Sequence, residues 1–391
     1  MRQLATIQKI SDIREIPDAQ NIVMARVMGY ETVIKKDEYK VGDLICFIEC
    51  DSIVPERQEF EFLREGKFRI KIRKFRKQIS EGLVMPLSIL PYDCVIEEGK
   101  EVTDIIGVKN YVRASEEEEE ATIANDKKRS KFMRFLMDFY VFRKVYLYFN
   151  SNIKGNFPTE LGISKTDETR VQTCARILME HYNEEWYFSE KIDGQSGTFF
   201  TYWAKVWARR MKKFGVCSRN LWIKTKNNSN YWRIVDKYDL ETKMRQYIDP
   251  ITIQCEVAGP AIQGNKYKLE EMDIFVFNVF QNGEMASLEG MERVCAELGL
   301  KTVPIINRSF IPSKEIGEGK EVKDVVDFMV KLSQGDSCLL KRKREGVVCR
   351  LKSNPKISFK VINPYFILEN EEKQKIKKEN EENKNDGQIS N

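Results

Sequence analysis

The sequence predicts an α+β chain: a small β-barrel at the N-terminus, then a larger domain in which strands are interrupted by a few helices. Three observations carry this. Short β-branched and aromatic runs separated by turn residues fill residues 1–112. A like-charge block, Glu116 to Glu120, then breaks the composition as a linker does. From Gly155 to Leu368, strand-like runs mix irregularly with amphipathic stretches, unlike the regular βαβ alternation of a parallel sheet.

Within residues 1–112, Ile22 to Val27, Thr32 to Lys36 and Leu44 to Glu49 are β-rich, with breaks at Met28-Gly29 and Val41-Gly42-Asp43. Phe68 to Phe75 alternates strictly. Phe68, Ile70 and Ile72 share one face, and Lys67, Arg69, Lys71 and Arg73 share the other. Gly82 to Leu87 completes roughly five strands, which suits a small barrel of the OB-fold kind. No acidic residue falls between Lys67 and Lys77, so the basic face is a candidate phosphate-tracking surface.

Residues 113–154 read as an acidic linker and a connecting helix, with Phe132, Phe135, Phe139, Phe142, Val145 and Phe149 at helical spacing. Arg134, Asp138, Arg143 and Lys144 interrupt that stretch, so it cannot span a membrane. In residues 155–368, Gly215 to Ser218, Ile251 to Ala258, Ile274 to Phe280, Gly346 to Leu351 and Ile357 to Ile362 read as strands. Trp232, Val235, Tyr238, Met244 and Tyr247 look like one face of a single helix. Leu288 to Leu298 and Val322 to Met329 look like two more. Residues 369–391 are Glu, Lys and Asn with few apolar groups, and read as a disordered charged tail.

A chain of 391 residues has room for two or three domains. The net charge of +5 is modest, so any nucleic-acid contact must come from local clusters. Nine cysteines without a C-x-x-C, and one histidine, His181, argue against a zinc site and a disulfide framework. With no signal sequence apparent and no apolar span, the expected setting is intracellular, with cytoplasm and organelle both open.

The central feature is Lys191-Ile192-Asp193-Gly194, set between aromatic runs at Trp186 to Phe188 and Phe199 to Trp203. Asp-Gly between strand-like runs reads as a tight loop, with Lys191 at its lip. Most such tetrapeptides are surface hairpins. A lysine that attacks a phosphate must be a neutral amine, and its free pKa is about 10.4. It therefore needs cations or a divalent metal nearby, a carboxylate to hold that metal, and a flat apolar face for a base. Candidates lie at strand ends: Arg219, Glu256, Phe277, Glu345 and Lys360. Each has a plain structural reading, as a salt-bridged strand end, a core aromatic or a solvated loop cation. Lys360, mid-strand between Phe359 and Val361, is the hardest to read so. No Walker or Rossmann glycine loop is present, so side chains would have to hold a nucleotide.

Taken together, KIDG at 191–194, CSRN at 217–220, CEVAGPAIQGNKY at 255–267, FVFN at 275–278, REGVVCR at 344–350 and SFKVI at 358–362 resemble the motif series of the covalent nucleotidyltransferase superfamily. The form of Glu256 to Gln263 is similar to RNA ligases. The barrel-like start, with Gln78 to Leu83, and the segment Lys165 to Gln172 resemble the nick-sealing branch with an N-terminal OB domain. The resemblance covers about Met1 to Leu368, and implies a ligase-type domain of antiparallel sheets with flanking helices. Two positions depart from it: Asn278 replaces a usual aspartate, and Ile362 replaces a second lysine.

The resemblance implies an ATP-dependent RNA ligase using Mg²⁺ or Mn²⁺. Lys191 would become adenylylated, with Asp193 and Gly194 completing its loop. Arg219 would contact the nucleotide, Glu256 the ribose or metal-bound water, and Phe277 the adenine. Glu345 would organise the metal's water shell, Lys360 would contact the α-phosphate, and Arg170 would grip the triphosphate or an incoming 5′-phosphate. The implied partner is a nicked RNA or RNA/DNA duplex with RNA on the 3′-OH side, bound by a monomer away from membranes. Two alternatives are a capping-type guanylyltransferase, which places its OB-like domain last, and a non-catalytic RNA-binding protein on the same fold.

Overall fold

The computed structural model describes residues 3–112, 154–206, 209–373 and 376. The connecting helix expected around 131–150 and the acidic linker before it lie outside the described residues, as do residues 377–391 of the tail.

The N-terminal domain is a near-closed antiparallel barrel. Its longest strand, Ala5–Glu15, was not foreseen, because Ser11, Asp12 and Arg14 dilute its pattern. A register shift near Ile10 splits it. Ala5 to Lys9 pair with Leu44–Ile48, and Ile10 to Glu15 pair with Ile22–Val27. One strand thus serves both walls of the barrel. Tyr30–Lys35 and Leu83–Met85 flank the sheet, and Ser52–Ile53 joins Lys109–Asn110 to Arg69–Ile70.

The expected strand from Phe68 to Phe75 is corrected. Phe68, Ile70 and Ile72 are buried as the alternation requires. The ladder, however, is only Arg69–Ile70, followed by a separate hairpin of Arg73–Phe75 with Gln78–Ser80. A 3₁₀ helix, Gln58–Gly66, ends in a left-handed cap at Lys67, with φ of 54° there and 56° at Phe68. The chain cannot be extended at those two residues.

The second domain stacks two sheets. The larger has the order Lys154–Asn156, Leu221–Ile223, Arg209–Cys217, Gln195–Val206, Ile251–Ala258, Asp273–Gln281, Glu284–Met285. The smaller has the order Ile305–Phe310, Trp186–Glu190, Gly346–Leu351, Ser358–Ile362. Trp186–Glu190 is buried on both faces. Trp186 and Phe188 enter one core cluster and Tyr187 enters the other, each ring contributing about 2–3 kcal/mol of apolar burial. The helices Leu288–Leu298 and Val322–Ser333 appear where expected. The single helix expected through Trp232 and Met244 is two, Asn230–Tyr238 and Leu240–Gln246, because Asp239 adopts φ of 49°. No helix among the described residues is long and apolar enough to cross a membrane.

The tail expectation changes at its start. Residues 364–373 are helical. Ile367 and Leu368 from this segment pack against the barrel core, and Glu371 lies 3.7 Å from Arg69. An apolar contact on the other domain orders a stretch whose own composition is polar.

Candidate active site

Lys191 to Gly194 is not a hairpin turn between paired strands. It carries the chain from Trp186–Glu190 in the smaller sheet to Gln195–Val206 in the larger. The N–H of Glu190 donates to Pro304 O at 2.8 Å, and that of Lys191 to Gly346 O at 3.0 Å. These bonds fix the lysine's backbone on the small sheet. Glycine is required at 194 for space: a Cβ there would lie 2.3 Å from Val257 O. The Gly194 N–H donates to Glu256 Oε1 at 3.1 Å, which ties the loop to the larger sheet. Asp193 is buried, its carboxylate bonded by Lys266 and its N–H by the Tyr267 hydroxyl at 2.8 Å.

Lys191 Nζ donates to Glu345 Oε2 at 2.9 Å. Burial alone would lower its pKa, but the carboxylates of Glu345, Glu256 and Asp193 outweigh burial and raise it. The lysine is therefore an ammonium in this state. Glu256 answers in the opposite sense. Its burial beside Glu345 and Asp193 pushes its carboxyl up to about 8, although Lys191 opposes the shift. Acids crowded around one lysine cannot all ionise while enclosed.

Two cavities meet at Lys191, Gly194, Arg219, Glu256 and Lys360. The inner one, about 150 Å³, lies between the two sheets and takes in Ser189, Glu190, Ser218 and Phe277. Phe277 is the extra residue of a β-bulge. Gln254 faces Asn278 and Cys255 faces Val276, which leaves Phe277 without a register partner and turns it toward the cavity. The outer cavity, about 160 Å³, opens toward the barrel and adds Asp51, Arg69, Arg170 and Glu345.

The structure thus brings Lys191, Asp193, Gly194, Arg219, Glu256, Phe277, Glu345, Lys360 and Arg170 to one place. Arg170 sits there with its guanidinium already paired. It is buried, 3.0 Å from Asp51 and 3.3 Å from Glu81 of the barrel, and these partners raise its pKa against the pull of burial. It joins the domains as well as lining the outer cavity. Arg69 is likewise drawn inward, bonded to Asp51 at 3.0 Å and lying 3.7 Å from the centre of the Tyr111 ring. It therefore parts from the exposed Lys67 and Arg73 and the half-exposed Lys71, and the four do not form one open basic face.

Sequence reasoning missed several members of this site. Glu168 accepts from Arg350 at 2.8 Å and from Ser358 at 2.6 Å, and Arg219 donates to Asp167 at 2.7 Å. These acids fall in the polar run from Lys165 to Arg170, which has no periodicity to mark them and of which only Arg170 is buried. Glu190 is also buried. Its Oε2 accepts from the Cys338 N–H at 2.7 Å, and its Oε1 has no partner among the described residues. A glutamate ending an aromatic strand directly before Lys191 was the available signal.

A divalent cation fits the donor set. Glu256 and Glu345 converge on Lys191, and burial first, then the neighbouring carboxylates of Glu345 and Asp193, raise the Glu256 pKa. No group of three ligating side chains occurs among the described residues. Such an ion would take one or two carboxylates, with water and phosphate oxygens for the rest, which is how Mg²⁺ is commonly held.

An OB-fold domain family matches residues 4–87, and the RNA ligase family matches residues 184–362. No curated protein matches the chain. Among solved structures, a ligand-free variant of a Naegleria gruberi RNA ligase is similar at 23% identity and a TM-score of 0.75, over 95% of this chain and 99% of that one. The same ligase with pyrophosphate gives 23% and 0.73, over 95% and 100%. A variant with ATP and Mn gives 24% and 0.73, over 94% and 98%. At these identities the likeness establishes the fold, from barrel to last strand. The match to the RNA ligase family over residues 184–362 thus lies behind the match to an OB-fold domain over residues 4–87, the same order in which the barrel and the two-sheet domain follow each other in the fold.

Proposed function

We propose that this RNA ligase seals 3′-OH/5′-phosphate nicks in duplexes with RNA on the 3′-OH side, as a monomer, through a covalent lysyl-AMP. The observation that carries the reading is the position of Lys191. It stands where the two cavities meet, between a pocket with an aromatic wall and a chamber lined by cations and carboxylates. ATP and Mn occur together in a solved relative of the same fold, and ATP is the nucleotide this site suits.

In the proposed first step, ATP lies with its base against Phe277 and its α-phosphate at Lys191. The unpartnered Oε1 of Glu190 can accept from an exocyclic amine, which adenine offers and the guanine O6 does not. Lys191 Nζ forms the N–P bond as the bond from the α-phosphorus to the bridging oxygen breaks, and pyrophosphate leaves through the outer cavity. The ammonium must first lose a proton, and Glu345 at 2.9 Å is placed to receive it. A bound divalent cation supplies charge neutralisation at the phosphates, and Glu256 and Glu345 would hold it or its waters. Lys360 and Arg219 flank the same point and oppose the phosphate charge. AMP then passes to a 5′-phosphate, and a 3′-OH displaces it to form the phosphodiester.

Incubation with α-labelled ATP and a divalent cation tests the reading. Label on the wild-type chain and none on Lys191→Ala supports it. Equal labelling of the two sinks it, as does preference for GTP. Sealing assays on nicks that differ only in RNA or DNA at each side then decide the substrate.

A further inference from the structure

Residues 194–235 contain nine Lys and Arg and no Asp or Glu. The structure turns most of this stretch into a long hairpin. Gln195–Val206 pairs with Arg209–Cys217, placing Lys205 opposite Arg210, Trp203 opposite Lys212 and Tyr202 opposite Lys213. Side chains alternate across a strand, so Trp203, Lys205, Arg210 and Lys212 share one face. Lys212 is held by the carbonyls of Ile248 at 2.9 Å and Asp249 at 3.3 Å, and closes the base of the patch. Beyond it, Lys205 and Arg210 are exposed on this face and Arg209 is exposed next to them at the end of the hairpin on the other, and Arg210 lies 5.7 Å from the centre of the Trp203 ring. Trp203 is itself 43% exposed. Among the described residues no ion pair engages Lys205, Arg209 or Arg210; the nearby Arg245–Glu241 pair leaves them out.

The strand begins beside the inner cavity at Gln195 and runs for 12 residues. At ~3.3 Å per residue its far end stands about 36 Å away, close to one turn of a duplex. Like charges held together on one hairpin repel each other unless an anion joins them, and an arginine over an exposed indole is positioned by the ring while its outer N–H groups stay open to a phosphate.

We propose that this hairpin is a second nucleic-acid contact: it grips the phosphodiester backbone of one arm of the substrate duplex, about one turn from the break. The proposal rests on the ligase reading for its substrate but not for its chemistry. It gives the transferase domain its own hold on the duplex, separate from the barrel.

The test uses the full chain and a fluorescent nicked RNA duplex with arms of about 20 base pairs, read by anisotropy over a salt series. Lys205→Ala/Arg209→Ala/Arg210→Ala is expected to weaken binding about tenfold or more at 0.1 M salt. The slope of log affinity against log salt should fall by about 2 to 3, at ~0.9 per lost phosphate contact. Unchanged affinity and slope would overturn the proposal. The wild-type chain supplies an independent arm. Cutting one duplex arm below about 8 base pairs should cost it a similar factor and leave the triple variant indifferent. A wild type indifferent to both arm lengths would also overturn the proposal. Lysyl-AMP formation without RNA is measured in parallel. Its absence from the wild type would defeat the ligase reading, and duplex binding would still judge the hairpin.

Discussion

Lys191 and Glu345, 154 residues apart in sequence, are joined by a 2.9 Å hydrogen bond between Nζ and Oε2. The pair holds the candidate nucleophile at the meeting point of the two cavities, and holds it protonated.

Removing Glu345 should therefore split two properties of the lysine. Glu345 is the leading carboxylate that raises the Lys191 pKa, so Glu345→Gln lowers that pKa. The rate of Lys191 modification by an amine-selective reagent at pH 8, followed by peptide mass spectrometry, should rise. Adenylylation should nonetheless fall by about 10²-fold or more, since the proposed base and the proposed metal-water anchor are lost together. Parallel loss of both rates would show that Glu345 merely positions the lysine.

Glu256 links the site to stability. Burial beside other carboxylates pushes its folded pKa up to about 8 from an ordinary 4.5. Between those values the folded chain holds a proton that the unfolded chain has released. The stabilisation is complete below about pH 4.5 and is lost as pH rises through about 8. Glu256→Gln keeps an acceptor for the Gly194 N–H and has no charge to desolvate. It should raise the Tm at pH 8 to 9 and leave it nearly unchanged at pH 5, as a thermal melt series would show.

The same protonation bears on ligand uptake. A divalent cation and ATP entering below pH 8 should displace the Glu256 proton. Calorimetry at pH 7 in buffers of different ionisation enthalpy should register up to about one proton released per ATP bound. Glu256→Gln should abolish most of that release.

Glu190 sets the expected base preference. In the proposed pose its unpartnered Oε1 would meet an adenine amine favourably and a guanine O6 unfavourably. Glu190→Ala should lower the ATP-over-GTP ratio in the labelling assay by about tenfold or more, because a missing acceptor removes discrimination at that edge. A ratio unchanged by the substitution would place the base elsewhere.

Arg170 joins the two domains through Asp51 and Glu81. Asp51→Asn/Glu81→Gln leaves a buried guanidinium without its counter-charges and should cost about 3–5 kcal/mol, read as a lowered denaturation midpoint. Arg170→Met in the doubly substituted chain should recover part of that loss. Without recovery, the destabilisation has another source.

The motifs around Lys191 were legible in the sequence because each chemical group sits in a short run of strand-forming residues. Glu256, Phe277, Glu345 and Lys360 could be read one by one, and the described residues carry them all to the same cavities. The basic run from Lys67 to Lys77 was legible only in its burial. A left-handed cap at Lys67 and the pull of Asp51 on Arg69 depend on partners far away in sequence.

By itself, the sequence determined the α+β class and the barrel ahead of a sheet-rich domain, because strand propensity is local, and its motif series pointed to Lys191 as the candidate nucleophile. Only the tertiary structure decided that Lys191 crosses between two sheets, that Arg170 is shared with the barrel, and that residues 195–217 of the acid-free stretch pair into a basic hairpin. Those outcomes turn on which strands pair and which charges lose water, and neither is written in any one segment. The KIDG loop could be named from four residues. Its lysine's protonation is set by carboxylates 65 and 154 residues downstream, at Glu256 and Glu345.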